Sequence, residues 1–168
     1  MSKILLIALV LFASCTSVKV RSDQAVDFKK FETFYCMECL DEFSQVAPEY
    51  DNPETRELIR ESIISELEKK GLTYTEENPE VLVDFKVIIE ERTAILSTPE
   101  TTYYYWETYD APTVVFKQGT LLINLIDASN NQAIWQGTSS RIMDDDPSEK
   151  LEERVKSTVA RMFKKYNQ

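Results

Sequence analysis

From residue 81 to 91 the chain alternates. Val81, Val83, Phe85, Val87 and Ile89 fall on one side, while Asp84, Lys86 and Glu90 share the other with Leu82 and Ile88. Period two with a mostly polar far side predicts a strand in a sheet covered on one face only. A second period appears upstream. Ile59, Ile63 and Leu67 step by four, with Leu58 and Ile64 beside them, which predicts one apolar helix face running through Lys70. Its ends carry matching signals. Asn52 suits the N-cap and Pro53 the first helical position, and Glu54 and Glu57 favour the positive end of the helix dipole. Lys69-Lys70-Gly71 closes it, with glycine for the left-handed position past the last turn.

The remaining segments follow the same two periods. Val18 and Val20 alternate with polar residues and predict a brief edge strand. The aromatic, Thr-rich run 31–36 predicts another strand. Residues 119–142 read as a hairpin. Leu121, Ile123 and Leu125 point inward, Asp127-Ala128-Ser129-Asn130-Asn131-Gln132 is turn chemistry, and residues 133–142 return. At the C-terminus Leu151, Val155, Val159 and Phe163 again step by four, with Met162 and Tyr166 alongside. Asp146-Pro147-Ser148-Glu149 reads as that helix's start rather than a calcium loop, because no EF-hand spacing follows Asp144-Asp145-Asp146. The fold class expected is α+β: a mostly antiparallel sheet with two amphipathic helices packed on one face. A strand–helix–strand unit comes first, then a meander, then the C-terminal helix.

The N-terminus breaks both periods. Residues 4–12 are an unbroken apolar run behind Lys3, and Ala13-Ser14-Cys15 follow at once. The run is too short to span a bilayer, which takes about 20 residues, but it suits a secretion-signal core of roughly 7–15. Small residues fit a peptidase cleft, and the Cys15 thiol can take a thioether-linked diacylglycerol. The expected organisation is a lipoprotein signal peptide at 1–14, a lipidated tether at 15–24 and a single α+β envelope domain at 25–168. Thr16 stands where Asp would retain a lipoprotein in the inner membrane, so the expected location is the bacterial outer membrane, facing the periplasm. The membrane, reached through lipid on Cys15, is one expected partner. An envelope protein of unspecified identity is another.

Composition narrows the function. About 150 residues after the signal suffice for one core. The chain has 168 residues, 43% hydrophobic, with 19 basic against 29 acidic side chains and a net charge of −10. That balance argues against nucleic acid and against docking on anionic lipid through basic patches. With no histidine, no Ser-His-Asp or Cys-His arrangement can be assembled, nor any zinc site that uses histidine. Three glycines, Gly71, Gly119 and Gly137, leave no phosphate-cradling loop. No catalytic residue, metal site or cofactor is expected.

Two features keep alternatives open. Cys36 and Cys39 flank Met37-Glu38. In a continuous strand they stand about 10 Å apart, whereas a disulfide needs Cα atoms roughly 4.4–6.8 Å apart. A disulfide therefore requires a turn there; otherwise both are plain buried thiols, and a redox or metal role is the weakest reading. Between Pro99 and Pro112, in the region 93–117, lie Tyr103, Tyr104, Tyr105, Trp106 and Tyr109. They form either a long hairpin with cross-strand aromatic packing or an exposed binding surface, since such side chains give large contact area at low entropy cost.

Several short motifs resemble a known family. Asp27-Phe28, Phe31 and Thr33-Phe34 resemble its opening strand. Gly71-Leu72 with Asn78-Pro79-Glu80-Val81-Leu82-Val83 resembles its central segment. Gly119-Thr120-Leu121 through Asp127, then Ile134-Trp135-Gln136-Gly137, resemble its last hairpin. The chain is similar in these to the domain-of-unknown-function 4136 family of bacterial lipoproteins. That resemblance implies an envelope lipoprotein and no catalytic residue. The expectation is a non-catalytic interaction or envelope-assembly module, the alternative a small-ligand or lipid-binding module using 103–109.

Overall fold

A computed structural model describes residues 17–23, 26–38, 42–95, 113–143, 150–164 and 166. Six strands and two helices occur among them: β1 (Ser17–Ser22), β2 (Thr33–Cys36), α1 (Pro53–Lys69), β3 (Thr73–Tyr74), β4 (Val81–Ile95), β5 (Thr113–Asp127), β6 (Gln132–Ile142) and α2 (Leu151–Phe163). The strands form one sheet in the order β1-β6-β5-β4-β2-β3. The β1–β6, β6–β5 and β5–β4 pairs are antiparallel, while β2 is parallel to both β3 and β4. The sheet is therefore mixed within the expected α+β class. A helix between β2 and β3 carries the chain back to its starting edge, so the next strand enters in the same direction.

The cap signals act as read. The Asn52 side chain accepts from Thr55 N–H at 2.9 Å, Pro53 occupies the first turn, and Gly71 takes φ +94° just past the helix. The α2 helix is described from Leu151. Asp146 and the rest of 144–149 lie outside the described residues.

Both helices cover one face. Ile59, Ile63 and Leu67 of α1 and Val159, Met162 and Phe163 of α2 meet Val81, Val83, Phe85, Ile123, Leu125 and Trp135 in one core. Each such side chain, fully buried, contributes about 1.5–3 kcal/mol. Among the described residues no helix lies over the other face, which mixes half-buried Leu82 and Ile88 with a polar ladder. In that ladder Gln136 donates to Asn124 at 2.9 Å, and Asn124 donates to Asp84 at 3.3 Å.

One packing detail departs from simple alternation. A register shift between Leu125 and Ile126 leaves two consecutive β6 residues, Ile134 and Trp135, in the core. The Trp135 ring stacks on Phe163 at 4.9 Å and 13°. A Cβ on Gly137 would lie 2.5 Å from that indole and 2.9 Å from the Met162 methyl, so the glycine makes room for the tryptophan. Tyr166 closes this corner against Phe28, and burial pushes its phenol up to about 12.

The edge strand expected at Val18 and Val20 is β1. Ser17 pairs with Ser140 and Ser22 with Trp135, and both valines pack on the core margin. Part of the stretch read as tether is thus a strand of the sheet.

Candidate functional site

The core face is not covered along its whole length. Where the first turns of α1 and α2 approach β4, β5 and β6, a cavity of about 120 Å³ remains. Its walls are apolar: Ile59 from α1, Val87 and Ile89 from β4, Leu121 from β5, and Leu151 and Val155 from α2. Thr55, Ser139 and Thr158 add hydroxyls, and Arg141 and Arg154 line it as well. Gly119 sits in the same wall, with Met143 Sδ only 2.7 Å from where its Cβ would be. Ala47, Tyr50 and Ile89 form a small core of their own beside the cleft, flanked by Val87, Met143 and Leu151.

The loop ahead of α1 is held in place by charge. Arg56 is buried and donates to Asp51 twice, Nε to Oδ1 at 2.7 Å and Nη2 to Oδ2 at 2.9 Å. Its Nη2 also reaches the Glu42 carbonyl at 3.0 Å, and its guanidinium lies 4.2 Å over the Phe43 ring. Asp51 accepts a further bond from Ser44 N–H at 2.7 Å. Fork geometry, a bidentate carboxylate and a satisfied second oxygen are what a buried pair needs to offset desolvation. Glu49 carries the loop onto β5 through Lys117 at 3.3 Å. Its carboxyl is held below the usual range, first by its own backbone N–H and then by Lys117. Sequence reasoning missed the Arg56–Asp51 pair. A spacing of five is no helix-face signal, and only the folded loop turns Asp51 toward the helix.

The residues singled out from sequence fall elsewhere. Cys36 is fully buried on the core side of β2, beside Val83. The ladder continues past it, since Met37 N–H donates to the Val83 carbonyl at 2.9 Å. Cys39 lies outside the described residues, as do Cys15 and all of Tyr103, Tyr104, Tyr105, Trp106 and Tyr109. The strands leading to the aromatic segment are described. They stay paired out to Ile95 opposite Thr113. Among the described residues no group of three metal-ligating side chains converges, and no helix is long and apolar enough to cross a membrane.

Known families place the chain. The family model described as a domain of unknown function, DUF4136, matches residues 18–166. The chain belongs to the DUF4136 family. No curated protein matches it. Among solved structures, a PDZ domain protein from Parabacteroides distasonis is 18% identical with a TM-score of 0.55. That match covers 91% of this chain but 37% of that one, so the chain spans little more than a third of that relative. A PelC dodecamer from Paraburkholderia phytofirmans is 13% identical at a TM-score of 0.51, covering 88% of this chain and 94% of that one. At these identities the likeness is one of fold.

The DUF4136-like motifs turn out to be structural fasteners. Glu80 Oε2 accepts from the N–H groups of Glu32 at 2.6 Å and Thr33 at 3.2 Å. Glu80 N–H donates back to Thr33 Oγ1 at 3.1 Å, which ties the start of β2 to the start of β4. Asp127 accepts from Ser129 N–H at 2.9 Å and Oγ at 2.6 Å and bridges Lys30 at 3.4 Å. Those bonds, Ser129 first, hold its carboxyl below the usual range.

Proposed function

We propose that the chain is a lipid-anchored, non-catalytic binding module of the bacterial cell envelope, held at the outer membrane through Cys15 and facing the periplasm. The observation that carries this reading is the Ala13-Ser14-Cys15 junction after the apolar run 4–12. The absence of histidine from the chain supports a binding role over hydrolysis.

Cleft size bears on what is bound. Small-molecule sites run to about 300–1,000 Å³. A cavity of about 120 Å³ suits one apolar side chain of a protein partner better than a whole ligand. A partner that inserts such an anchor gains most of its binding energy there. The PelC relative is a dodecamer, so a second copy of this chain is one partner to test. The apolar walls also support the alternative, a lipid-binding module that takes a short stretch of acyl chain.

Crosslinking of the full chain in intact envelopes, with Leu121→Trp to fill the cleft, tests the reading. Wild type should give specific protein adducts and the filled variant should lose them, with Cys15→Ala leaving the protein unprocessed or soluble. Adducts unchanged by filling the cleft would remove the cleft from the function. Unchanged membrane fractionation of Cys15→Ala together with no fatty-acid label on the wild type would remove the anchor.

A further inference from the structure

The cleft between α1, α2 and the sheet is apolar, but two hydroxyls interrupt its walls. On β6 the alternation that buries Trp135 and Gly137 continues to Ser139, which is 4% exposed and stands opposite Leu121. On α1 the step of four that carries Ile59 and Ile63 begins at Thr55, which is 7% exposed. Both residues line the cleft. Each period thus places a hydroxyl where it would otherwise place an apolar side chain.

The other polar side chains of the cleft wall are occupied. Thr120 and Ser140 share a hydrogen bond at 2.9 Å, and Thr158 Oγ1 accepts from Arg161 at 3.3 Å. Tyr50, Arg141 and Arg154 are each engaged with other groups. Thr55 gives its N–H to Asn52, but among the described residues neither its hydroxyl nor that of Ser139 has a hydrogen-bond partner. Native interiors seldom leave hydroxyls so, because one taken out of water without a replacement bond costs stability. Two of them in one cleft call for an occupant that brings a donor and an acceptor with it.

Size and charge narrow that occupant further. An apolar cavity of about 150 Å³ accepts one benzene ring. This cleft, at about 120 Å³, is close to that size. The arginines are already engaged, so the unmet demand is for a neutral group rather than a carboxylate. Resting on the reading above that the cleft receives one side chain of a protein partner, we propose that this side chain is a tyrosine. Its ring matches the apolar walls of Ile59, Val87, Leu121 and Val155. Its phenol both donates and accepts, and supplies the bond that Thr55 or Ser139 lacks. Phenylalanine, leucine or an acyl chain fills the same space and leaves both hydroxyls unpaired. Tryptophan is larger and can only donate.

The test uses the full chain in detergent micelles, with its methyl groups labelled for NMR. It is titrated with N-acetyltyrosinamide, N-acetylphenylalaninamide or hexanoate. The tyrosine amide should move the methyl signals of Ile59, Val87 and Leu121 saturably and leave Leu82 and Ile126, on the open face of the sheet, unmoved. The phenylalanine amide should bind about tenfold more weakly, the worth of one hydrogen bond. Ser139→Ala and Thr55→Val both keep the walls intact. At least one of them should bring the tyrosine amide down to the phenylalanine level while leaving the phenylalanine amide where it was. Equal binding of the two amides, or a tyrosine preference that survives both substitutions, overturns the tyrosine and leaves the cleft a receptor for an apolar side chain. Hexanoate that binds more tightly than the tyrosine amide gives the cleft to acyl chains and overturns the proposal. Cleft methyls that no probe moves overturn it too. If Leu121→Trp still abolishes the crosslinks in intact envelopes, the cleft then keeps its partner; if the crosslinks persist, both readings fall.

Discussion

At the β5–β6 turn, the starts of β2 and β4 are laced together by Glu80, Thr33, Asp127, Ser129 and Lys30. At the far end β4 and β5 run on past the described parts of β2 and β6 and expose Ile95 and Val115. Of the motifs shared with the DUF4136 pattern, Thr33, Glu80 and Asp127 lie at the laced end and Ile134 to Gly137 in the Trp135 corner, while Gly119 and Leu121 line the cleft. Those at the laced end tie the start of β2 to the start of β4. The open end holds what the register does not require: the cleft, the exposed apolar side chains and the start of β1. Stability and contact with the surroundings are thus separated along the strands. A polar end with its groups satisfied internally gains nothing from a partner, whereas an apolar end left in water does.

The largest expected effect tests whether the open end is loose inside as well as outside. Arg56→Ala strands Asp51 in the core and should cost about 3–5 kcal/mol, read from denaturant unfolding. A loss below 1 kcal/mol would mean that the loop there is held by nothing buried.

Next comes the middle of the sheet. Gly137→Ala places a methyl against Trp135 and Met162 and should cost about 1–3 kcal/mol. Near-ultraviolet circular dichroism should report the displaced indole, and an unchanged spectrum would contradict the packing argument.

At the laced end, Glu80→Gln weakens two bonds to backbone N–H groups and should cost about 1 kcal/mol, because the site is solvent-exposed. Urea midpoints check it.

The acid limit also belongs to the laced end, and the alkaline limit to the Trp135 corner. Asp127 has a lowered folded pKa, so its contribution is complete above its ordinary value of 3.8 and is lost as pH falls through the lowered one. Asp127→Asn should flatten acid unfolding in that window. Tyr166 shifts the other way. Its contribution is complete below pH 10.0 and fades as pH rises toward about 12, with Tyr166 among the last phenols to ionise in an absorbance titration.

Smallest of all should be the stability effect of Val115→Asp, within about 0.5 kcal/mol by thermal melting, because the side chain is exposed. A loss like that of Gly137→Ala would place Val115 in a core and erase the contrast between the ends.

Local chemistry made much of the fold legible in the sequence. Asn52, Pro53 and Gly71 bounded α1 because caps act within one turn, and the alternation from Val81 to Ile89 named the covered face because side-chain period is a property of one strand. The turn at 127–132 and the edge strand at Val18 and Val20 were readable for the same reason. What the sequence alone did not determine depends on partners distant in the chain. The parallel placement of β2 between β3 and β4, the bulge that buries both Ile134 and Trp135, and the Arg56–Asp51 clasp each need a neighbour that no period announces. The cleft is a gap between two helices and three strands, so no segment encodes it. Gly137 reads as a strand glycine until the indole beside it gives the reason. The side of the sheet on which β1 starts likewise follows from strand direction and register, which pairing across the sheet decides.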